Sequence, residues 1–240
     1  DPQHGPLPQL VVQPRDELRR RVGHRARPGR GVAVDEQDAL LIVDGAGVLR
    51  VRLADQLEPA LQAGVTVAHE SGFYAGFWGS NIDFNDGFFS GKEAAELELD
   101  LFVGYGFELD ENTKLDLNFT YYAYPGSYDA YDYDFWEIIV GLSHDFGVAS
   151  VGIKGAYTPD TFGADEEAFW LGGNLTVPVT DWLSISGNVG EQWFEFGDDY
   201  THYDIGLTAT YEGVTFDARY VATDLDYIDE EFVFSVGFGF

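Results

Sequence analysis

The sequence predicts an all-β fold, an antiparallel up-and-down transmembrane β-barrel of about twelve strands, eleven of them clear in the chain. Three observations predict it. Apolar and polar residues alternate in segments of roughly ten, the length a tilted strand needs to cross a bilayer. The connections between segments alternate short and long. The segment Phe232-Val-Phe-Ser-Val-Gly-Phe-Gly-Phe240 puts Phe232, Phe234, Val236, Phe238 and Phe240 on one face and Val233, Ser235, Gly237 and Gly239 on the other, because successive strand side chains point to opposite sides. A soluble sandwich strand can alternate in the same way, but five large apolar residues in series fit a wall facing lipid better.

The elements follow in order. Segments centred on residues 60–68 and 73–82 are joined by the tight Glu70-Ser-Gly72. After a long connector at 83–93 come 94–108 and 114–124, joined by Asp110-Glu-Asn-Thr113. After 125–134 come 135–145 and 150–158, joined by Phe146-Gly-Val148. After 159–167 come 168–178 and 182–193, joined by Thr180-Asp181. After 194–202 come 203–211 and 214–222, joined by Glu212-Gly213, and 223–231 leads to 232–240. Gly, Asn and Asp in the tight turns suit hairpins. Short turns at one end and long loops at the other are the rhythm of outer-membrane barrels.

With both termini on the periplasmic side the strand count is even, so eleven strands imply a twelfth at the front. An unpaired edge in hydrocarbon leaves backbone groups unsatisfied at several kcal/mol each. The local candidate is Leu40 to Leu53. It is a poor one, because it has no aromatic residue and its Arg50 and Arg52 share one face. Facing lipid, each arginine would cost roughly 2–4 kcal/mol near the midplane, so both should point into the lumen.

Composition narrows the function classes. The 240 residues carry a formal charge of −29, with 19 Phe, 14 Tyr, 5 Trp, 29 Gly and neither Cys nor Met. Acidity on this scale argues against nucleic acid, whose phosphates need clustered Lys and Arg; cations are the natural partners. The lack of Cys suits an exported protein without disulfides and rules out a thiolate site. No run of 18 or more apolar residues forms a transmembrane helix, and no signal peptide is visible. As the chain begins at Asp1, an export signal is expected to have been removed or not captured. The residues are unevenly spread. No Phe, Trp or Tyr precedes Phe73, and residues 1–72 hold 9 basic and 10 acidic residues against 4 and 32 in 73–240.

Several stretches carry a family likeness. Pro59-Ala-Leu-Gln62, His69-Glu-Ser-Gly-Phe-Tyr-Ala-Gly-Phe-Trp-Gly-Ser-Asn-Ile-Asp-Phe84, Tyr121-Tyr-Ala-Tyr-Pro-Gly126 and Pro159-Asp-Thr-Phe-Gly163 resemble the TorF-type family of proteobacterial porins, formerly conserved hypothetical outer-membrane proteins. The likeness covers about residues 58–240. It implies a β-barrel in the bacterial outer membrane, an unsettled substrate and no catalytic residues. Members have an aromatic first strand, roughly Tyr-Val-Phe-Arg-Gly-x-Ser-Gln, where this chain has Arg50-Val-Arg-Leu-Ala-Asp-Gln-Leu57. Residues 1–57 are therefore set apart as an atypical basic segment, either translated out of frame or a disordered native extension, and 58–240 as the barrel.

Phasing each strand with its apolar stripe toward lipid assigns the lumen. Strand 94–108 sends Leu97, Leu99, Leu101, Val103, Tyr105 and Phe107 out, and Glu96, Glu98 and Asp100 in. Strand 114–124 sends Leu115, Leu117, Phe119 and Tyr121 out, and Asp116, Asn118, Thr120 and Tyr122 in. The same rule puts Glu137, Lys154, Asp204, Asp217 and Arg219 inside; a one-residue slip would set the apolar stripes in water. Acids in a lumen no wider than about a Debye length, roughly 8 Å at physiological salt, favour small cationic or neutral solutes passing passively. The alternative is a plugged, non-conducting barrel in which acids pair with Lys154 and Arg219, with loops that bind a partner or divalent metal.

Outside the lumen, Tyr128-Asp-Ala-Tyr-Asp-Tyr-Asp134, Asp165-Glu-Glu167, Asp198-Asp199 and Asp224-Leu-Asp-Tyr-Ile-Asp-Glu-Glu231 are acidic loop runs. They are solvated charge, or sites for Ca²⁺ that bridges to lipopolysaccharide. No segment has EF-hand spacing, and no cofactor is implied. Trp78, Trp136, Trp170, Trp182 and Trp193 are assigned to interfacial girdles in contact with outer-membrane lipid. An enzyme is the rival class, since His144 falls on the lipid-facing phase. Ser143 beside it points the other way, and His4, His24, His69 and His202 form no metal-ligand spacing.

Overall fold

The computed structural model describes residues 47–53, 60–82, 96–126, 133–161, 166–225 and 230–239, with only the backbone described for 47–53. The elements are β1 (Gly47–Leu53), β2 (Ala60–Ala68), β3 (Phe73–Asn81), β4 (Leu97–Glu108), β5 (Thr113–Ala123), β6 (Phe135–Asp145), β7 (Ser150–Thr158), β8 (Ala168–Thr180), β9 (Leu183–Phe194), β10 (Tyr200–Tyr211), β11 (Val214–Thr223) and β12 (Glu231–Gly239). Each strand pairs antiparallel with the next, and β1 pairs with β12 to close the barrel. The fold is therefore the up-and-down sheet that the alternating segments predicted. Acidic loop residues within 83–95, 127–132, 162–165 and 226–229 lie outside the described residues.

The twelfth strand comes from the C-terminal half of the poor candidate. Gly47–Leu53 runs beside β12 from Val48↔Gly239 to Leu53↔Phe234, and beside β2 from Gly47↔Val65 to Arg52↔Ala60. Closure outweighs the segment's weak pattern, because any strand there satisfies two rows of backbone groups that would otherwise face hydrocarbon.

The tight connections gather at one end of the barrel and the long ones at the other. Between β10 and β11 the two loop residues Glu212 and Gly213 have φ of 49° and 81°. Both are left-handed, as the two-residue hairpin turn that matches strand twist requires. β8 has a register irregularity between Pro178 and Thr180 near its short-turn end, where a residue lacking N–H disturbs the ladder least.

The two faces of the wall differ in chemistry. Outward positions form a continuous exposed apolar belt, including Leu101, Phe119, Ile138, Ile153, Phe169, Val189, Ile205, Phe216 and Phe234. A water-soluble monomer does not expose apolar area on that scale, and a belt around a closed barrel is the surface that lipid covers. Inward positions carry nearly all the buried polar side chains, among them Gln62, Thr66, Ser80, Glu98, Asp100, Asn118, Thr120, Gln192, His202 and Ser235.

Candidate functional site: the lumen

One side of the lumen is acidic and held by tyrosines. Leu101 and Val103 face outward on β4, so strand parity turns Glu98 and Asp100 inward, where both are buried. Tyr122 on β5 pairs with Asp100 on one side and with Phe135 on the other, and its ring stacks on Phe135 at 4.5 Å and 14°. The Tyr122 hydroxyl donates to Glu137 Oε2 at 2.9 Å, and Tyr124 donates to Glu98 Oε1 at 3.3 Å. Nearer mid-barrel, the Tyr74 hydroxyl donates to Asp116 Oδ1 at 2.9 Å and accepts from Asn118 Nδ2 at 3.1 Å, while Thr120 donates to Asn118 Oδ1 at 2.6 Å. Tyrosine suits this place because its ring packs as an apolar plate while its hydroxyl satisfies a carboxylate. Lys154 on β7 is within electrostatic reach of Asp116 and Glu137, and its Nζ lies 6.0 Å from the centre of the Trp170 ring.

The other side sets one arginine between two aspartates. Arg219 on β11 pairs with Asp204 on β10 through Nη1, with Asp217 Oδ2 at 3.2 Å, and donates to Ser186 Oγ at 2.9 Å. Asn188 Nδ2 donates to both Asp204 oxygens at 2.9 Å, and Thr208 donates to Asp217 Oδ2 at 2.7 Å. The guanidinium lies flat over Gly206, where a Cβ would come within 2.7 Å of Arg219 Cζ. In a twelve-strand closed sheet β5 and β11 are half a turn apart, so the tyrosine-held acids and the arginine network occupy opposite walls. Glu96 stands apart from both groups. It precedes β4 and is exposed at the long-loop end, its carbonyl accepting from Ile82 N–H at 3.1 Å.

Inward side chains differ between the two halves of the barrel, although Thr66 and Tyr74 in the short-turn half are buried too. In the short-turn half Asp116, Lys154, Asn174, Thr176, Ser184, Ser186 and Asp217 keep partial exposure. In the long-loop half Trp78, Tyr122, Tyr124, Tyr133, Phe135, Trp170, Tyr200 and His202 are buried. The long-loop half thus carries an aromatic lining that sequence reasoning had not collected. Trp78 and Trp170 belong to this lining and not to a girdle, which corrects their sequence-based assignment. They share the parity of Tyr74 and Ser80 and of Ala168 and Gly172, opposite the exposed Phe73, Phe77, Phe169 and Leu171. Trp170 stacks on His202 at 5.8 Å, above Gly172 and Gly190, where a Cβ would sit 2.3 Å and 2.6 Å from the indole. Trp136 and Trp193 stack on the outward Phe119 and Phe169, and Trp182 is exposed at the short-turn end.

His144 does find a hydroxyl, on the neighbouring strand: Thr113 Oγ1 lies 2.8 Å from Nδ1. Thr113 donates its proton to Asp110 Oδ2 at 2.8 Å, so it accepts from His144. A hydroxyl whose proton is held by a carboxylate is not primed by the imidazole as a nucleophile. The His144–Thr113–Asp110 chain instead ties β6 to the β4–β5 turn.

Residues 50–235 match the model of a family described as bacterial protein of unknown function, Gcw_chp. No curated protein sequence matches the chain. Among solved structures, the NanC porin superposes with a TM-score of 0.61 at 13% identity, covering 81% of this chain and 99% of that one. The KdgM porin gives 0.58 at 8% identity with the same coverages, and has also been solved in complex with disordered oligogalacturonate. An outer membrane channel from Pseudomonas putida F1 gives 0.51 at 12% identity, covering 90% of this chain and all of that one. At these identities the likeness shows the fold alone, the closed β-barrel on which those porins and that channel are built.

Proposed function

This chain belongs to the Gcw_chp family of bacterial proteins of unknown function, and we propose that it is a passive outer-membrane channel for small solutes with a preference for cations. The likeness to TorF-type porins in the motifs at 69–84, 121–126 and 159–163 points the same way, with the apolar belt set against outer-membrane phospholipid and lipopolysaccharide. The observation that carries the cation preference is the charge imbalance of one wall. Asp204 and Asp217 stand with Arg219, two acids to one base, whereas on β4–β7 four inward acids, Glu98, Asp100, Asp116 and Glu137, stand with one lysine, Lys154, which is within electrostatic reach of Asp116 and Glu137. Charges this close to a narrow water path act on ions with little screening. A polyanion such as the oligogalacturonate found in complex with the KdgM porin would meet like charge there.

Single-channel recording in a planar bilayer under a KCl gradient tests the proposal. The expected result is discrete steps with a cation-selective reversal potential, reduced by Glu98→Gln and Asp116→Asn; an anion-selective or unselective channel would overturn the cation preference. The buried long-loop half of the lumen favours a second reading, a non-conducting barrel whose acidic loops hold a partner or a divalent ion such as Ca²⁺. A correctly inserted but silent protein would support that reading.

A further inference from the structure

We propose that the acidic cluster on β4–β6 recognises the primary ammonium group of a small solute, with Asp100 as the principal acceptor. This deepens the channel reading and rests on it.

Asp100 is 4% exposed, and its Oδ1 has no hydrogen-bond partner among the described residues. Its two cross-strand neighbours, Trp78 and Tyr122, do not supply one, since Tyr122 spends its proton on Glu137. Glu98 accepts from Tyr124. Lys154 is within electrostatic reach of Asp116 and Glu137. A buried carboxylate oxygen without a donor is costly, and this one lies within electrostatic range of both Glu98 and Glu137.

The surroundings select the class of donor. Among the described residues no three carboxylate or imidazole groups gather in a metal-holding arrangement, which disfavours a multivalent ion. Trp78, Tyr122 and Phe135 are buried beside the carboxylates, and aromatic faces attract an organic cation that sheds its water. An ammonium has three N–H donors, enough to reach Asp100 Oδ1 and a second carboxylate at once.

The test is calorimetric titration of the full-length protein in detergent with n-butylammonium and with tetramethylammonium, which has the charge but no N–H. KCl conductance is recorded in parallel. Butylammonium should bind saturably and on the order of tenfold more tightly than tetramethylammonium. Asp100→Asn should weaken it by on the order of tenfold, and Glu111→Gln, in an exposed turn, should leave it unchanged. Equal affinity for the two cations, no binding of either, or full affinity in a folded Asp100→Asn protein overturns the site. The wild-type comparison decides even if the variant does not insert. Conductance of K⁺ without ammonium binding discards the site and keeps the channel; ammonium binding by a silent barrel keeps the site and discards the channel.

Discussion

Among the described side chains, Arg219 is the cation that pairs with two aspartates, Asp204 and Asp217. Its guanidinium reaches Asp204, Asp217 and Ser186 from a position only about a tenth exposed. Removing one partner of such a buried set is worse than never having built it, because the remaining charges stay desolvated. Arg219→Met should therefore cost about 3–5 kcal/mol, read as a lowered urea midpoint in detergent. Arg219→Lys should recover only part of that, since an ammonium cannot reproduce the planar fork that serves all three acceptors. Parity made the facing of these residues legible in sequence, as it did for Glu98, Asp100 and Glu137. Their partners were not legible. Asp204 meets Arg219 through the β10–β11 register, and alternation cannot state a register. Trp78 was misassigned for a related reason: nearness to a strand end suggested a girdle, whereas the parity of Phe73 and Phe77 already turned it inward.

The turns can be tested as separate elements. Glu212 has a φ of 49°, a conformation that costs a residue with a Cβ about 1–2 kcal/mol and asparagine less. Glu212→Asn should raise stability by about 1 kcal/mol, seen as unfolding of the heat-modifiable band at a higher temperature. At the β4–β5 turn the Asn112 backbone N–H and the Thr113 hydroxyl, both 2.8 Å away, hold the Asp110 carboxyl below the usual carboxylate range. A depressed carboxylate adds stability that is present above its unfolded pKa, about 3.9, and is lost as pH falls through the lower folded value. Asp110→Asn should thus lower thermal resistance at pH 7 and flatten its decline below about pH 4; an unchanged acid limb would show that the turn contributes nothing. Turn chemistry and segment length made eleven strands legible, to the residue for 60–68, 135–145 and 150–158. β1 was the weak case because its place depends on the open edges of β2 and β12 and not on its own pattern.

For the whole molecule the exposed belt separates a membrane wall from an unusually greasy soluble surface. Ile205 is mid-strand on β10, 59% exposed and flanked on its face by Tyr203 and Leu207. On a water-facing surface an exposed Ile→Arg change is nearly neutral, within about 0.5 kcal/mol. At the middle of a bilayer the same change costs roughly 2–4 kcal/mol, falling toward zero near the interfaces. Ile205→Arg should therefore destabilise the barrel by about that much in lipid vesicles. Tyr211→Arg, at the short-turn end of the same strand, should cost at most about 1 kcal/mol. The depth dependence is the informative quantity, since misfolding from crowding would not follow position along one strand. Equal small penalties at both positions would remove the bilayer from this reading and, with it, the low-dielectric wall that makes the lumen acids act on passing ions.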